Sequence, residues 1–504
     1  MVTKRYRDGT HPRIVIVGAG FSGLCAAIQL QEQLDIHDYR IYEMNADLGG
    51  VWHVNTYPGC AVDVPAHLFS FSFAQNPEWS QVYAERAEIW QYMRRVADQY
   101  GVYDRIRFST QVVATDWSSD RQCWIVRTQS RSARDGAVHE DVFEADVVVR
   151  ATGPLRVPSK PAMFGSFQAG PTIHSAEWDH SVDLRGKHVA IVGSGASAVQ
   201  IIPQLAPLVG QLTVFHRTPS YVIPRNSYRY SSIIKTLFRY VPVTQWLYRC
   251  FLFLFLEVAH RAFFNGSLLS RVAPQLAALH RYRQISDEKL RAKVTPRYAM
   301  GCKRITVSDD YYPALARPNV VVETAHIATV SADAITTASG ATYRPDVLVL
   351  ATGFKLREFG DSVTAITRRG DELGATIRRN TRSYYGTCFE NTPNTFNLLG
   401  PNSGLGHNTI IFVIECQVAF MVETLSLMMQ HGIAAMEITP AAVDRFQAAN
   451  ASGLDGSVWQ SDCMSWYQHP ETGTVDTLYS GTCIQFWLET RKPTLELFDI
   501  VARR

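Results

Sequence analysis

The chain has 504 residues, 46% hydrophobic and 19% charged, with 49 Lys and Arg against 46 Asp and Glu. That length exceeds one ordinary hydrophobic core, so two or three domains are expected. A formal net charge of +3 spread over it gives no electrostatic footprint for nucleic acid or membrane.

Residues 1–13 are polar and lead into only a few apolar residues before a glycine, which is no signal-peptide core, so a cytoplasmic setting is expected. Nine cysteines show neither C-x-x-C nor metal-ligand spacing; the odd count argues against a disulfide framework, and no metal site is expected. Residues 13–23 (RIVIVGAGFSG) read as a short apolar strand, 14–17, that runs into Gly18, Gly20 and Gly23 and then a helix. This G-x-G-x-x-G pattern makes a tight turn, brings backbone close to a pyrophosphate and aims a helix N-terminus at it. A second β-like run, 39–42, ends in Glu43, where a carboxylate accepts from an adenosine ribose hydroxyl.

Residues 49–65 (GGVWHVNTYPGCAVDVP) are too rich in Gly, Pro and aromatics for regular structure and read as a loop laid against something flat. Helical spacing over 84–100 puts Ile89, Met93 and Val96 on one face. Strands are expected at 107–113, 124–128 and 146–150, the last ending in Ala151-Thr152-Gly153. After a proline-rich crossing at 154–161, a buried strand at 187–192 meets Gly193-Ser194-Gly195-Ala196-Ser197-Ala198, the G-x-G-x-x-A form of the same cradle. Its partner strand, 212–215, ends in His216-Arg217-Thr218 rather than an acid, and an Arg there accommodates the 2′-phosphate of NADP.

Residues 227–293 lack strand patterns and read as a helical insertion. Within it, 246–259 is the most apolar stretch, but Arg249 and Glu257 bracket a run well short of the ~18 residues that span a bilayer. It reads as a buried helix, with peripheral membrane contact as the minority reading. A strand at 344–350 ends in a second A-T-G, Ala351-Thr352-Gly353. Finally, 396–406 (FNLLGPNSGLG) precedes a helix at 410–430, whose N-terminus is suited to a flavin's electron-rich pyrimidine edge.

The expected fold is therefore α/β, with two Rossmann-like dinucleotide-binding domains, one for FAD and one for NADP, and a helical insertion in the second. The expected division is 1–155 for the first part of the FAD domain, 156–226 for the NADP domain, 227–295 for the insertion, 296–350 for the rest of the NADP domain and 351–504 for the rest of the FAD domain. Two dinucleotide sites on one chain suggest that one cofactor reduces the other, since NADPH carries a hydride but does not activate oxygen, whereas a flavin does both.

The first cradle, G-G-x-W-x-x-x-x-Y-P-G-x-x-x-D at 49–63, G-x-x-x-H-x-x-x-W-D at 170–179 and the second cradle together resemble the class B flavoprotein monooxygenases. Within these the chain looks most like the Baeyer–Villiger monooxygenases. The resemblance implies oxygen insertion next to a ketone carbonyl through a C4a-peroxyflavin, giving an ester or lactone from a small-molecule ketone and O₂. Arg304, in Gly301-Cys302-Lys303-Arg304, matches the arginine that stabilises negative charge on peroxide and substrate, and Asp63 the loop carboxylate that aims it. Lys303, with Arg217 and Thr218, matches contacts to the NADP phosphate. Ser22, Gly50, Trp52 and Asp63 match flavin-side positions, and Val112 a backbone contact to adenine. Ser194, Ala196 and Ser197 belong to the second cradle, and Trp466 matches a tryptophan on the nicotinamide or substrate side. The resemblance implies that His174 couples hinge motion to NADP binding, with a hydrogen-bonded interdomain histidine as the equal alternative; for His407 a flavin-side role is open, but a helix-start hydrogen bond is the more ordinary reading. The alternative reaction, oxidation of nitrogen or sulfur nucleophiles, needs no arginine.

Overall fold

A computed structural model describes residues 9–131, 135–359 and 363–503; most of the polar N-terminal stretch, residues 1–8, lies outside them. Two five-stranded parallel sheets organise the molecule. In the first, Ile14–Val17 is central, paired with Tyr39–Tyr42 and Val147–Arg150, while Ile106–Arg107 and Thr395–Asn397 form the edges. All four residues of Ile14–Val17 are buried because both sheet faces are covered. The pleat sends Ile14 and Ile16 toward helices Phe21–Leu34 and Ile410–His431, and Val15 and Val17 toward an antiparallel sheet that includes Trp117 and Trp124. Each such side chain contributes roughly 1.5–3 kcal/mol by leaving water.

The second sheet repeats the plan, in the order Val320–Glu323, Gln211–Phe215, His188–Val192, Val347–Leu350, Thr172–His174. In each sheet the central strand lies between the strand that follows its cradle helix and the strand that ends in Ala-Thr-Gly.

The expected strand 107–113 is two strands. Ser109, at φ 50°, turns the chain out of the parallel sheet after Ile106–Arg107 and into Thr110–Ser118 of the antiparallel one. There Cys123–Arg131 is longer than expected because it pairs along its length with Val138–Ala145, a largely exposed strand whose charged sequence hides it. Helix Ile410–His431 is long and apolar enough to cross a membrane, yet 67% of its most apolar window is buried inside the fold. Thr409 caps its start, and Gly432 in the left-handed region ends it.

The insertion is built from helices Ser232–Tyr240, Pro242–Ala259, Leu268–Gln284 and Glu288–Lys293. The expectation of a buried helix over 246–259 is overturned. Trp246, Phe251 and Phe255 are 60, 64 and 63% exposed, and the buried residues of Pro242–Ala259 are the polar Gln245 and Glu257. The cause is that the helix docks through its polar groups. Gln245 donates to the Asn76 carbonyl, Arg249 to the carbonyls of His67 and Ser70, and Glu257 accepts from His407, Asn408 and the backbone of Ile484. Burial pushes the Glu257 carboxyl up, but these donors outweigh it and hold it at about 2.

Seven cysteines are free, which is no disulfide framework, but Cys302 and Cys463 form a single disulfide that joins segments 161 residues apart. A count reports parity and says nothing of which two thiols the fold brings together.

Candidate active site

The carboxyl ends of the two central strands face a common cavity of about 2040 Å³. At the first cradle, Gly18 has φ 106° and donates its N–H to the Tyr42 carbonyl at 2.8 Å. A Cβ on Gly18 would lie 2.6 Å from the Ala151 carbonyl oxygen, and one on Gly23 would lie 1.9 Å from that of Gly18. Strand, turn and helix therefore close on each other as tightly as backbone permits, leaving the helix N-terminus open to the cavity. Glu43 is buried with its carboxylate fixed, one oxygen accepting from Ala19 N at 2.8 Å and the other from Asn45 N at 2.9 Å. Gly20 backs onto Gly50, Trp52 meets Phe69 edge-on at 5.3 Å, and buried Ser22 and Val112 complete this wall. A cradle that any Cβ would fill, together with a fixed carboxylate at the ribose position, fits the adenosine diphosphate half of FAD. Asn408, Ile410 and Ile411 bring the start of helix Ile410–His431 to the same cavity.

The second cradle repeats the turn. Gly193, at φ 136°, donates to Phe215 O at 3.0 Å, and a Cβ there would meet Ala351 O at 2.3 Å. Beyond the turn the two cradles differ, since nothing lies within 4 Å of a Cβ on Gly195 and Ala198 occupies the third position. Ser194 Oγ donates to the Thr218 carbonyl at 2.6 Å, next to exposed Arg217. Lys303 Nζ sits 5.4 Å from the Tyr298 ring centroid. Burial, and then the neighbouring Arg217 charge, push the Lys303 ammonium below its usual range. Two cations that repel each other beside exposed N–H groups fit a phosphate between them.

Between the cradles, Arg304 donates from Nε to Asp63 Oδ2 at 2.7 Å and approaches the same oxygen through Nη2 at 2.6 Å. The side chains remain 39 and 24% exposed, both toward the cavity. The Asp63 charge raises the guanidinium above its ordinary value despite desolvation, so Arg304 stays a cation at any working pH. Trp466 borders the cavity and stacks on Tyr467 at 4.8 Å. The Cys302–Cys463 disulfide fastens their loop beside Lys303.

Every residue expected from the sequence to meet a cofactor or substrate borders this cavity except Gly23, which packs behind the first turn, while His174 and His407 lie outside its lining. His174 is buried, its Nδ1 accepting from Ala176 N at 3.1 Å, and burial lowers its pKa. His407 bonds Glu257 at 3.1 Å, away from the cavity wall. Sequence reasoning missed Tyr467, whose buried hydroxyl lies against Arg304; its proximity to Trp466 was the available signal. It also missed Gln200, whose amide accepts from Tyr57 Oη at 2.9 Å and donates to Ala61 O at 2.9 Å. A helix glutamine carries no pattern that marks such a bridge.

Residues 16–86 match the family model for an NAD(P)-binding Rossmann-like domain. Residues 67–230 match that for L-lysine 6-monooxygenase/L-ornithine 5-monooxygenase. A Baeyer-Villiger monooxygenase of Pseudomonas aeruginosa is 36% identical over 485 residues, 96% of this chain and 90% of the relative. One of Streptomyces coelicolor is 36% identical over 494 residues, 97% of this chain and 93% of the relative. Among solved structures, an oxidized steroid monooxygenase bound to NADP superposes with a TM-score of 0.81 at 27% identity, covering 98% of this chain and 100% of that one. A closed cyclohexanone monooxygenase gives 0.84 at 24% identity with the same coverage, a likeness of fold. Full-length relatives at this identity, two dinucleotide cradles facing one cavity and an arginine–carboxylate pair between them agree: the chain belongs to the Baeyer–Villiger monooxygenase family.

Proposed function

We propose that Arg304 and Asp63 are the groups with which this enzyme inserts one oxygen atom of O₂ beside a ketone carbonyl, giving an ester or lactone. FAD and NADPH are its cofactors. Bound FAD supplies acceptance of the hydride and activation of O₂. The chain supplies position and charge. Gly18, Gly20, Ser22, Gly23, Glu43, Gly50, Trp52 and Val112 hold the flavin nucleotide. Gly193, Ser194, Gly195, Ala196 and Ser197 hold the pyrophosphate of NADPH, while Arg217, Thr218 and Lys303 meet its 2′-phosphate. Trp466 covers the nicotinamide and substrate side. This assignment fits a division with 1–155 and 351–504 around FAD, and 156–226 and 296–350 around NADPH.

The observation that carries the reading is the partly exposed guanidinium of Arg304, aimed into the cavity between the cradles by Asp63. Negative charge that develops on the carbonyl oxygen finds a donor that is already oriented and always charged. Removing one such donor typically costs about 10²–10³ in kcat. Arg304→Ala is expected to retain FAD and to be reduced by NADPH while ester formation from a ketone panel falls by about that factor. Ester yield like that of the wild type would overturn the assignment. The match of 67–230 to the lysine and ornithine monooxygenase model favours nitrogen oxidation as a second reading, but that stretch does not contain Arg304. Turnover of amines that survives Arg304→Ala, with no ester from any ketone, would decide for it.

A further inference from the structure

The helical insertion turns its apolar side outward. On helix Pro242–Ala259, Val243, Trp246, Leu247, Phe251, Leu254, Phe255 and Val258 are all exposed. Their spacing of three and four residues places them on one stripe. Helix Ser232–Tyr240 adds Ile233, Leu237 and Tyr240 at the same spacing, and its axis is bent by 106° from the next helix. Helix Cys483–Thr490 begins on Glu257, with Ile484 N donating to it at 3.2 Å, and adds exposed Ile484, Trp487 and Leu488. The stripe on Pro242–Ala259 contains no charge, since Arg249 and Glu257 both bond inward. A contiguous face of this kind is not a solvated surface; it marks something that covers it.

Charge identifies what covers it. Residues 227–293 hold 11 Lys and Arg against 3 Asp and Glu, while the rest of the chain holds 38 against 43. Exposed Arg239, Arg261 and Arg271 lie next to the apolar helices, and Arg491 and Lys492 follow Trp487. Arg239 also reaches Glu78 at 3.1 Å. A second copy docking through this face by a two-fold axis would set two basic rims against each other, which is repulsive. An anionic lipid surface accepts both the apolar stripe and its cations. The bend and the inward bonds of Gln245, Arg249 and Glu257 keep the helices flat on the protein instead of across a bilayer.

The geometry points to a membrane-docking face: the insertion and the Cys483–Thr490 helix seat the enzyme on an anionic bilayer surface. The test is flotation of the FAD-loaded enzyme with phosphatidylcholine vesicles, with and without phosphatidylglycerol, at low and high salt. The enzyme is expected to float with the anionic vesicles and about tenfold less with neutral ones. The variant W246E/F251E/F255E is expected to stay with the unbound fraction while keeping its flavin and its NADPH oxidation in buffer. R261Q/R271Q, which leaves the apolar stripe intact, is expected to weaken anionic binding by about tenfold. Wild-type enzyme that stays off anionic vesicles at low salt would overturn the proposal, as would W246E/F251E/F255E floating like wild type. A stable dimer in light scattering that W246E/F251E/F255E converts to monomer would assign the face to chain–chain contact instead.

Discussion

The two cradles are built on one plan and finished differently. Both place a glycine at positive φ against the alanine of an Ala-Thr-Gly strand end. In the first, however, a third glycine lets the helix close on the turn, and a buried glutamate is held by two backbone N–H groups. In the second, Ala198 stands at the third position, Gly195 faces open space and the polar groups are an exposed arginine and a half-buried lysine. The first cradle is the more closed of the two, the second the more open. On the assignment proposed above, the same backbone device serves FAD and NADPH, and the difference lies in how far the surrounding side chains are already committed.

That contrast is broken most severely at its tightest point. Gly23→Ala puts a methyl where the Gly18 carbonyl stands, and is expected to lose FAD and about 3 kcal/mol of stability, read as flavin content and thermal unfolding. Ala198→Gly, the reciprocal change, is expected to cost about 1 kcal/mol, the usual helix-interior glycine penalty, with NADPH binding retained. Equal losses in the two would mean that the cradles do not differ in closure.

A smaller effect is expected at Arg217. Arg217→Ala is expected to raise the KM for NADPH by about ten- to a hundredfold, the range of a lost charge-assisted hydrogen bond, and to leave that for NADH nearly unchanged. An unaltered preference between the two would remove the 2′-phosphate from this corner.

The smallest effect concerns pH. The Lys303 ammonium lies below its usual range through burial and the Arg217 charge, so its proton is lost as pH rises through that depressed value. KM for NADPH is therefore expected to climb at a lower pH than for an ordinary lysine. Lys303→Arg, which keeps its charge, is expected to flatten the rise, and a profile identical to wild type would show that Lys303 makes no contact with the phosphate.

Legibility in the sequence followed the range of the interaction. The cradles could be read because turn, glycine and helix start lie within a dozen residues and their chemistry is local. Arg304 and Asp63, 241 positions apart, were paired only through a family resemblance; nothing in their spacing brings them together. Gln200 is invisible because it acts across elements distant in the chain, and Tyr467, though next to Trp466, carries no pattern that marks its contact with Arg304. The helix over 246–259 was misread because apolar content predicts burial only when the polar residues are free to face water. Here the fold claims Gln245, Arg249 and Glu257 for docking, and the apolar face is what remains.

The stretch over residues 49–65, a loop apart from one helical turn at Val51–Val54, behaves as a strut. At one end Gly50 backs onto Gly20 of the first cradle; in the middle Tyr57 and Ala61 are tied to Gln200 on the helix of the second, with Gly59 so close that a Cβ would meet the Gln200 carbonyl at 2.6 Å. Its far end is Asp63, which aims Arg304. One strip of chain thus touches both cradles and carries the carboxylate that aims the guanidinium, so the spacing of the cradles and the aim of that charge are set by the same seventeen-residue segment, 49–65.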